Sequence, residues 1–191
     1  MKTELKPTLW RTARALANVD RLNLLRLVYL ARGSKGVVEL AAEADVSVPT
    51  ASTYLRALNA RGLISVIRSG PYVYYGTGSD RSLPAAAEIQ KSFARLFAIK
   101  VLPKDWSSRL LPLLQAYSHP RREMIVRILG SVQPIRYAEL KKLSGFGETP
   151  FLRHLGLLSA AGVVIHGGDG AYSLAKPGNS LAAAFLKAAL A

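Results

Sequence analysis

Shifted by 100 residues, this chain lies on itself without a gap. Identical pairs include Arg21/Arg121, Glu39/Glu139, Leu40/Leu140, Leu55/Leu155, Leu58/Leu158, Ala60/Ala160, Gly62/Gly162, Gly70/Gly170 and Tyr72/Tyr172. Leu25/Ile125, Val28/Ile128 and Leu63/Val163 are conservative pairs. The matches sort onto helix core faces, helix stops and turn glycines, which chance identities would not do. The chain is therefore expected to hold two copies of one module, 7–101 and 102–191, each closed by an extra helix.

The most informative stretch within the repeat is Asp45 to Gly62, DVSVPTASTYLRALNARG. Ala51, Leu55 and Leu58 recur at i, i+4 and i+7 and so share one helical face. The other face carries Thr50, Ser52, Thr53, Arg56 and Asn59. Ser47 is placed to cap the first turn, and Pro49 is tolerated there because its missing N–H has no partner in any case. Gly62 suits a left-handed stop. A small, hydroxylated and basic face fits a helix, 48–61, lying in a DNA major groove. An ordinary amphipathic helix has the same apolar stripe.

The neighbouring segments complete a winged helix-turn-helix. After Lys6-Pro7-Thr8, helices are predicted from Leu9 to about Asn18, from Arg21 to about Ala31 with Asp20 as cap, and from Val37 to Ala44. In the third, Val38, Leu40 and Ala41 are available for burial. Arg32 to Gly36 reads as a turn. The period changes after Gly62. Leu63–Ile67 and Tyr72–Tyr75 flank Ser69-Gly70-Pro71, a hairpin wing with Arg68 at its tip. Gly76 to Ser82 is a polar loop. Pro84 opens a helix to about Val101, whose stripe of Ile89, Phe93, Leu96 and Phe97 needs a partner; an inter-domain core is favoured over a ligand pocket. The second cycle predicts helices from Pro103 to Tyr117, Arg121 to Leu129 and Tyr137 to Leu143. A counterpart of the reading helix begins at Thr149-Pro150 and ends at Gly162. A second wing follows, then a last helix from Leu181 to Leu190 capped by Asn179 or Ser180. The fold class is mainly α with small β-hairpin wings, two winged helix-turn-helix domains in tandem.

Charge supports a polyanionic partner. There are 26 Lys+Arg against 12 Asp+Glu, net +14, which points to nucleic acid first and an anionic membrane surface second. Residues 1–100 carry 15 basic and 7 acidic side chains and residues 101–191 carry 11 and 5, so the excess is not confined to a tail. With no cysteine, disulfides and thiolate metal sites are excluded. The N-terminus lacks the apolar run of a signal peptide, and no run reaches membrane-span length. A cytoplasmic protein is expected.

The segment from Arg21 to Leu30, continued by VELAAEADVSVPTASTYLRALNARGLISVIRSGPYVYY, resembles the ArsR-type winged-helix repressors. AYSHPRREMIVRIL in the second copy is similar to that family's second-helix entry. The resemblance implies operator binding through the fourth helix and dimer contacts through the first and last helices. By matching position it implies base reading by Val48, Pro49, Ser52, Thr53 and Tyr54, and in the second copy by Glu148, Thr149, Leu152, Arg153 and His154. With Ser47, Thr50, Arg56 and Arg68 from the residue reading, these form the expected DNA-binding set, save Glu148 and Leu152. Glu148 would repel a phosphate, and Leu152 stands where the first copy has Ser52. Gly156 and Ala161 replace Arg56 and Arg61, and the second wing carries Asp169 and no Arg. Since phosphate contacts supply most of the affinity, the first copy is expected to bind DNA more strongly.

The remaining candidates have plainer readings. His119, His154 and His166 lie far apart in sequence without i, i+4 pairing, so no metal site is expected. His119 reads as a helix-end residue and His154 as DNA-facing or on the surface. Cross-strand packing accounts for Tyr72, Tyr74 and Tyr75 better than base stacking. No catalytic set or Walker-type loop is found, and no cofactor is expected. The expected function is a sequence-specific double-stranded DNA-binding transcription regulator, a repressor. Its partners are double-stranded DNA and a homodimer or single-chain pseudo-dimer formed through helices 9–18, 84–101, 104–117 and 181–190. The alternative is a tandem winged-helix scaffold for protein contacts.

Overall fold

The computed structural model describes residues 8–31, 33–78 and 84–191, with the side chains of 84 and 85 left aside. Lys6, Pro7, Arg32 and the end of the loop before Pro84 lie outside the described residues.

Extended backbone at Asn18 starts the architecture of the first half. Asn18 Oδ1 accepts from the Arg21 backbone N–H at 2.9 Å and caps α2 (Val19–Leu30) behind α1 (Leu9–Leu16). The expected cap, Asp20, sits inside the first turn instead, where a negative charge still suits the helix dipole. The predicted turn before the third helix contains a two-residue strand, β1 (Lys35–Gly36), too short to leave a pattern. In α3 (Val37–Glu43), Leu40 and Ala41 are buried, but Val38 is 65 % exposed. The expected burial of Val38 is thus corrected: this seven-residue helix turns only its Leu40-Ala41 edge inward. α4 (Val48–Asn59) follows, capped as expected by Ser47. The turn into it needs a left-handed residue, Asp45 at φ 53°, and the exit needs Gly62 at φ 65°; Gly145 and Gly162 stand at the same places in the second half, at 68° and 66°.

The wing is β2 (Ser65–Ser69) and β3 (Tyr72–Gly76), antiparallel, with β1 on the other edge of β3. Arg68 lies within β2 opposite Val73 rather than at the tip, which is Gly70-Pro71, because β2 runs two residues past the predicted strand end. α5 (Pro84–Phe97) stops four residues short of Val101. Gln90 on α5 is buried, and its Nε2 donates to the carbonyls of Gly62 and, at 2.9 Å, Gly78, tying this helix to the end of α4.

The second half repeats the order. It contains α6 (Trp106–Tyr117), α7 (Pro120–Ser131), β4 (Ile135–Arg136), α8 (Tyr137–Ser144), α9 (Glu148–Ala160), β5 (Val164–His166), β6 (Ala171–Leu174) and α10 (Ser180–Leu190). The two sheets have matching orders, β1-β3-β2 and β4-β6-β5. Like elements meet across the molecule: α1 packs against α6, and α5 against α10. The stripe on α5 is covered by α10 and α2, with Phe93 stacked on Phe97 and Phe97 edge-on to Trp106 at 5.4 Å. Ser92 Oγ donates to the Ser180 carbonyl at 3.2 Å across the same junction. One hydrophobic cluster runs through both halves.

Candidate nucleic-acid interface

The core-facing stripe of α4 decides what is left for a ligand. Ala51, Leu55 and Leu58 are fully buried, so Val48, Pro49, Thr53 and Arg56 stand in solvent, with Thr50 and Ser52 half-buried. Ser47 Oγ accepts from the Thr50 N–H at 3.3 Å and lies 2.8 Å from Thr50 Oγ1. Thr53 Oγ1 donates to the Pro49 carbonyl at 2.9 Å and keeps its capacity to accept. Arg56 Nε donates to the Ser52 carbonyl at 3.2 Å and makes no ion pair among the described residues, leaving its other guanidinium N–H groups available. Arg68 is exposed on the wing together with Ile67 and Tyr72. The face is open and carries hydroxyls and an Arg. Asp45 and Glu43 border it at the turn, and Glu43 is held by Lys35 at 2.5 Å.

Tyr54 departs from the expected set. It is half-buried and faces Arg21, whose guanidinium lies 5.1 Å from the ring centroid. The stacking fixes α2 against α4 and occupies the ring face. Of the three tyrosines on the wing, Tyr75 is buried, while Tyr72 and Tyr74 pack together at 6.5 Å.

In the second half, Thr149 and Arg153 are exposed on α9, as are Leu152 and Leu157. His154 is not. It is 8 % exposed, on the stripe Phe151, His154, Leu155 and Leu158 that α9 turns inward. A surface position for His154 is therefore corrected: i, i+3, i+4, i+7 spacing from Phe151 carries it to the core side. His119, remote in sequence, packs on it at 4.6 Å between ring centroids. Two histidines far apart in sequence are thus brought together by the fold. His119 also caps α7, its Nδ1 accepting from the Arg121 N–H at 3.1 Å. Among the described residues, no group of three or more possible metal-binding side chains forms.

The electrostatics of this corner are unlike those around α4. Burial, then neighbouring His119, Arg122, Arg121 and Arg153, push the His154 imidazole down to about 4. Burial and surrounding arginines also lower His119. Arg122 is 7 % exposed and is satisfied by neutral acceptors: the Ala116 carbonyl at 2.9 Å, the Gln115 carbonyl at 2.7 Å and Ser118 Oγ at 3.1 Å. The sequence reading missed this group. A signal was present, since Arg122 occupies the position of Leu22, a fully buried residue in the first half.

Residues 18–66 match the model of the bacterial regulatory protein, arsR family. This ArsR-type segment runs from the cap of α2 through the start of β2 and so contains the whole of α4. It is a helix-turn-helix of the DNA-binding transcription-regulator class. None of the curated proteins matches the chain. Among the described residues, no helix is long and apolar enough to cross a membrane.

Proposed function

We propose that the chain is a sequence-specific repressor that binds double-stranded DNA, built from two winged helix-turn-helix units, 7–101 and 102–191, paired within one polypeptide. The observation that carries this reading is the pairing of like elements, α1 with α6 and α5 with α10, around the open polar face of α4. In a two-fold dimer each patch meets its own copy. Here the second copy is supplied by the same chain, and two linked reading units suit half-sites about one helical turn apart, roughly 34–36 Å. α4 enters the major groove with Ser47, Val48, Pro49, Thr50, Ser52 and Thr53 toward the bases. Arg56 and Arg68 engage phosphates. Thr149 and Arg153 give α9 a weaker contribution.

A second reading applies to α9 alone. Exposed Leu152 and Leu157 favour contact with a protein there over base reading. Titration of duplexes, beginning with the DNA upstream of the chain's own coding region, tests the main proposal. Arg56→Ala should weaken binding to every duplex about tenfold and flatten the slope of log K against log salt by about one unit. Unchanged affinity on all duplexes would overturn the assignment of α4.

A further inference from the structure

The corner between the first turns of α7 and α9 is a concave site of about 390 Å³, lined by His119, Arg121, Arg122, Arg153, His154 and Thr149, with Pro150 and Leu157 as its apolar part. No carboxylate lines it. The nearby acid Glu148 is engaged by Lys141 and Tyr137 on α8, and the Lys141 hydrogen bond holds its carboxyl below the usual range. Arg122 is therefore a buried cation with no acidic partner among the described residues. A buried charge without a counter-charge is expensive, and the usual resolution is an ion of opposite sign. His154, also more than nine-tenths buried, lines the cleft; its Nδ1 lies 3.4 Å from Arg122 Nη1, and its Nε2 has no partner among the described residues.

We propose that this cleft binds a small phosphorylated ligand. Arg121, Arg122 and Arg153 line the cleft. Arg122 already donates to the Ala116, Gln115 and Ser118 oxygens, and the Arg121 guanidinium lies 5.1 Å from the Phe146 ring centroid. Exposed Arg153 is the guanidinium left for direct contact, with the other two charges beside it, a match for a phosphate. The N-terminal ends of the α7 and α9 dipoles add to the same field, although the α7 first-turn N–H groups are themselves taken by His119. The volume exceeds that of a lone phosphate and falls in the range of metabolite sites, with Pro150 and Leu157 against the remainder of the ligand. A duplex backbone supplies the same phosphate chemistry, but it is a poor occupant, because Arg122 and His154 lie beneath the surface it would follow. The site is specific to the second half. At the equivalent positions the first half has Val19, Leu22, Thr53 and Tyr54 for His119, Arg122, Arg153 and His154, and Arg21 stacks on Tyr54. The proposal stands whether or not α4 reads DNA.

The test is a titration of the full chain with inorganic phosphate at constant ionic strength, followed through the histidine ring resonances. His119 and His154 should move saturably while His166, on the second wing, stays fixed. Arg153 is exposed, so Arg153→Ala should keep the fold, checked by its circular dichroism, and raise the half-saturating phosphate concentration about tenfold. Arg56→Ala should leave the titration unchanged. No saturable movement of His154, or the same titration in Arg153→Ala, would overturn the proposal. So would displacement of the phosphate by a mixed-sequence duplex in the Arg56→Ala chain, where α4 no longer holds DNA as tightly against α9; that would make the cleft itself a duplex site.

Discussion

α4 and α9 occupy equivalent places in the two halves and bury the same stripe, yet their outward faces differ. α4 shows Thr53 and Arg56 to solvent; α9 shows Leu152, Arg153 and Leu157. The inward faces differ too. Tyr54 closes its position with a ring under Arg21, whereas His154 leaves a cationic hollow beside His119 and Arg122. One backbone plan thus carries two chemistries. Helix stops, left-handed turns and core leucines are held in common, because the plan fails without them. The positions between are free to change, and they separate an open polar face on α4 from a cationic cleft beside α9.

The largest expected effect probes what the halves share. Leu58→Ala and Leu158→Ala both empty fully buried sites, and each should cost about 2–5 kcal/mol. With one continuous core, both should shift a single denaturation transition followed by fluorescence and circular dichroism. Two transitions, with only one moving in each variant, would break the picture of a joined pair. A second comparison separates the outward faces. The tenfold loss of DNA affinity expected for Arg56→Ala should exceed that for Arg153→Ala; the reverse order would assign the reading role to α9.

The third effect separates the inward faces. The unfolded imidazole of His154 gains a proton below about pH 6.5, whereas the folded one resists until about 4. Between these values the unfolded chain binds more protons, so stability falls as the pH drops through the window, by at most about 1.4 kcal/mol per pH unit for one histidine. His119 is lowered first by burial and then by Arg122, Arg121, Arg14 and Arg153, and acts in the same direction, so the cations around the pair come from α1, α7 and α9. His154→Gln should flatten the dependence of the urea midpoint on pH. An unchanged slope would show that the imidazole is not held neutral by this corner. The smallest effect concerns the caps. Ser47 caps α4 through its side chain, while Gly147 gives α9 no side-chain cap. Ser47→Ala should cost about 1 kcal/mol, and Gly147→Ser should gain a few tenths.

Much of this was legible in the sequence, because it rests on local rules. The Ser47 cap, the stop at Gly62 and the stripe of Ala51, Leu55 and Leu58 can be read from spacing alone. The ungapped 100-residue offset holds as far as the wings and is corrected there: Lys35 pairs with Tyr75 but Ile135 with Tyr172, so the second strand of the second wing comes three residues early. Other features could not be read so. Asn18 and Asp20 are both competent caps, and the choice depends on where the chain becomes extended. β1 and β4 have two residues each and borrow their hydrogen bonds from β3 and β6. The cleft was hidden for a different reason: His119 and His154 are 35 residues apart, and only the packing of α7 on α9 joins them. Helical period from Phe151 places His154 inside, but its identity as a polar residue argued for the surface.

The most direct test of the central claim is selection of bound sequences from a random duplex pool by the full chain, in parallel with Arg56→Ala. The account predicts enrichment of an asymmetric site, one half well defined and the other weak, with enrichment lost in the variant. A pool that stays random, or one enriched equally by both proteins, would contradict it.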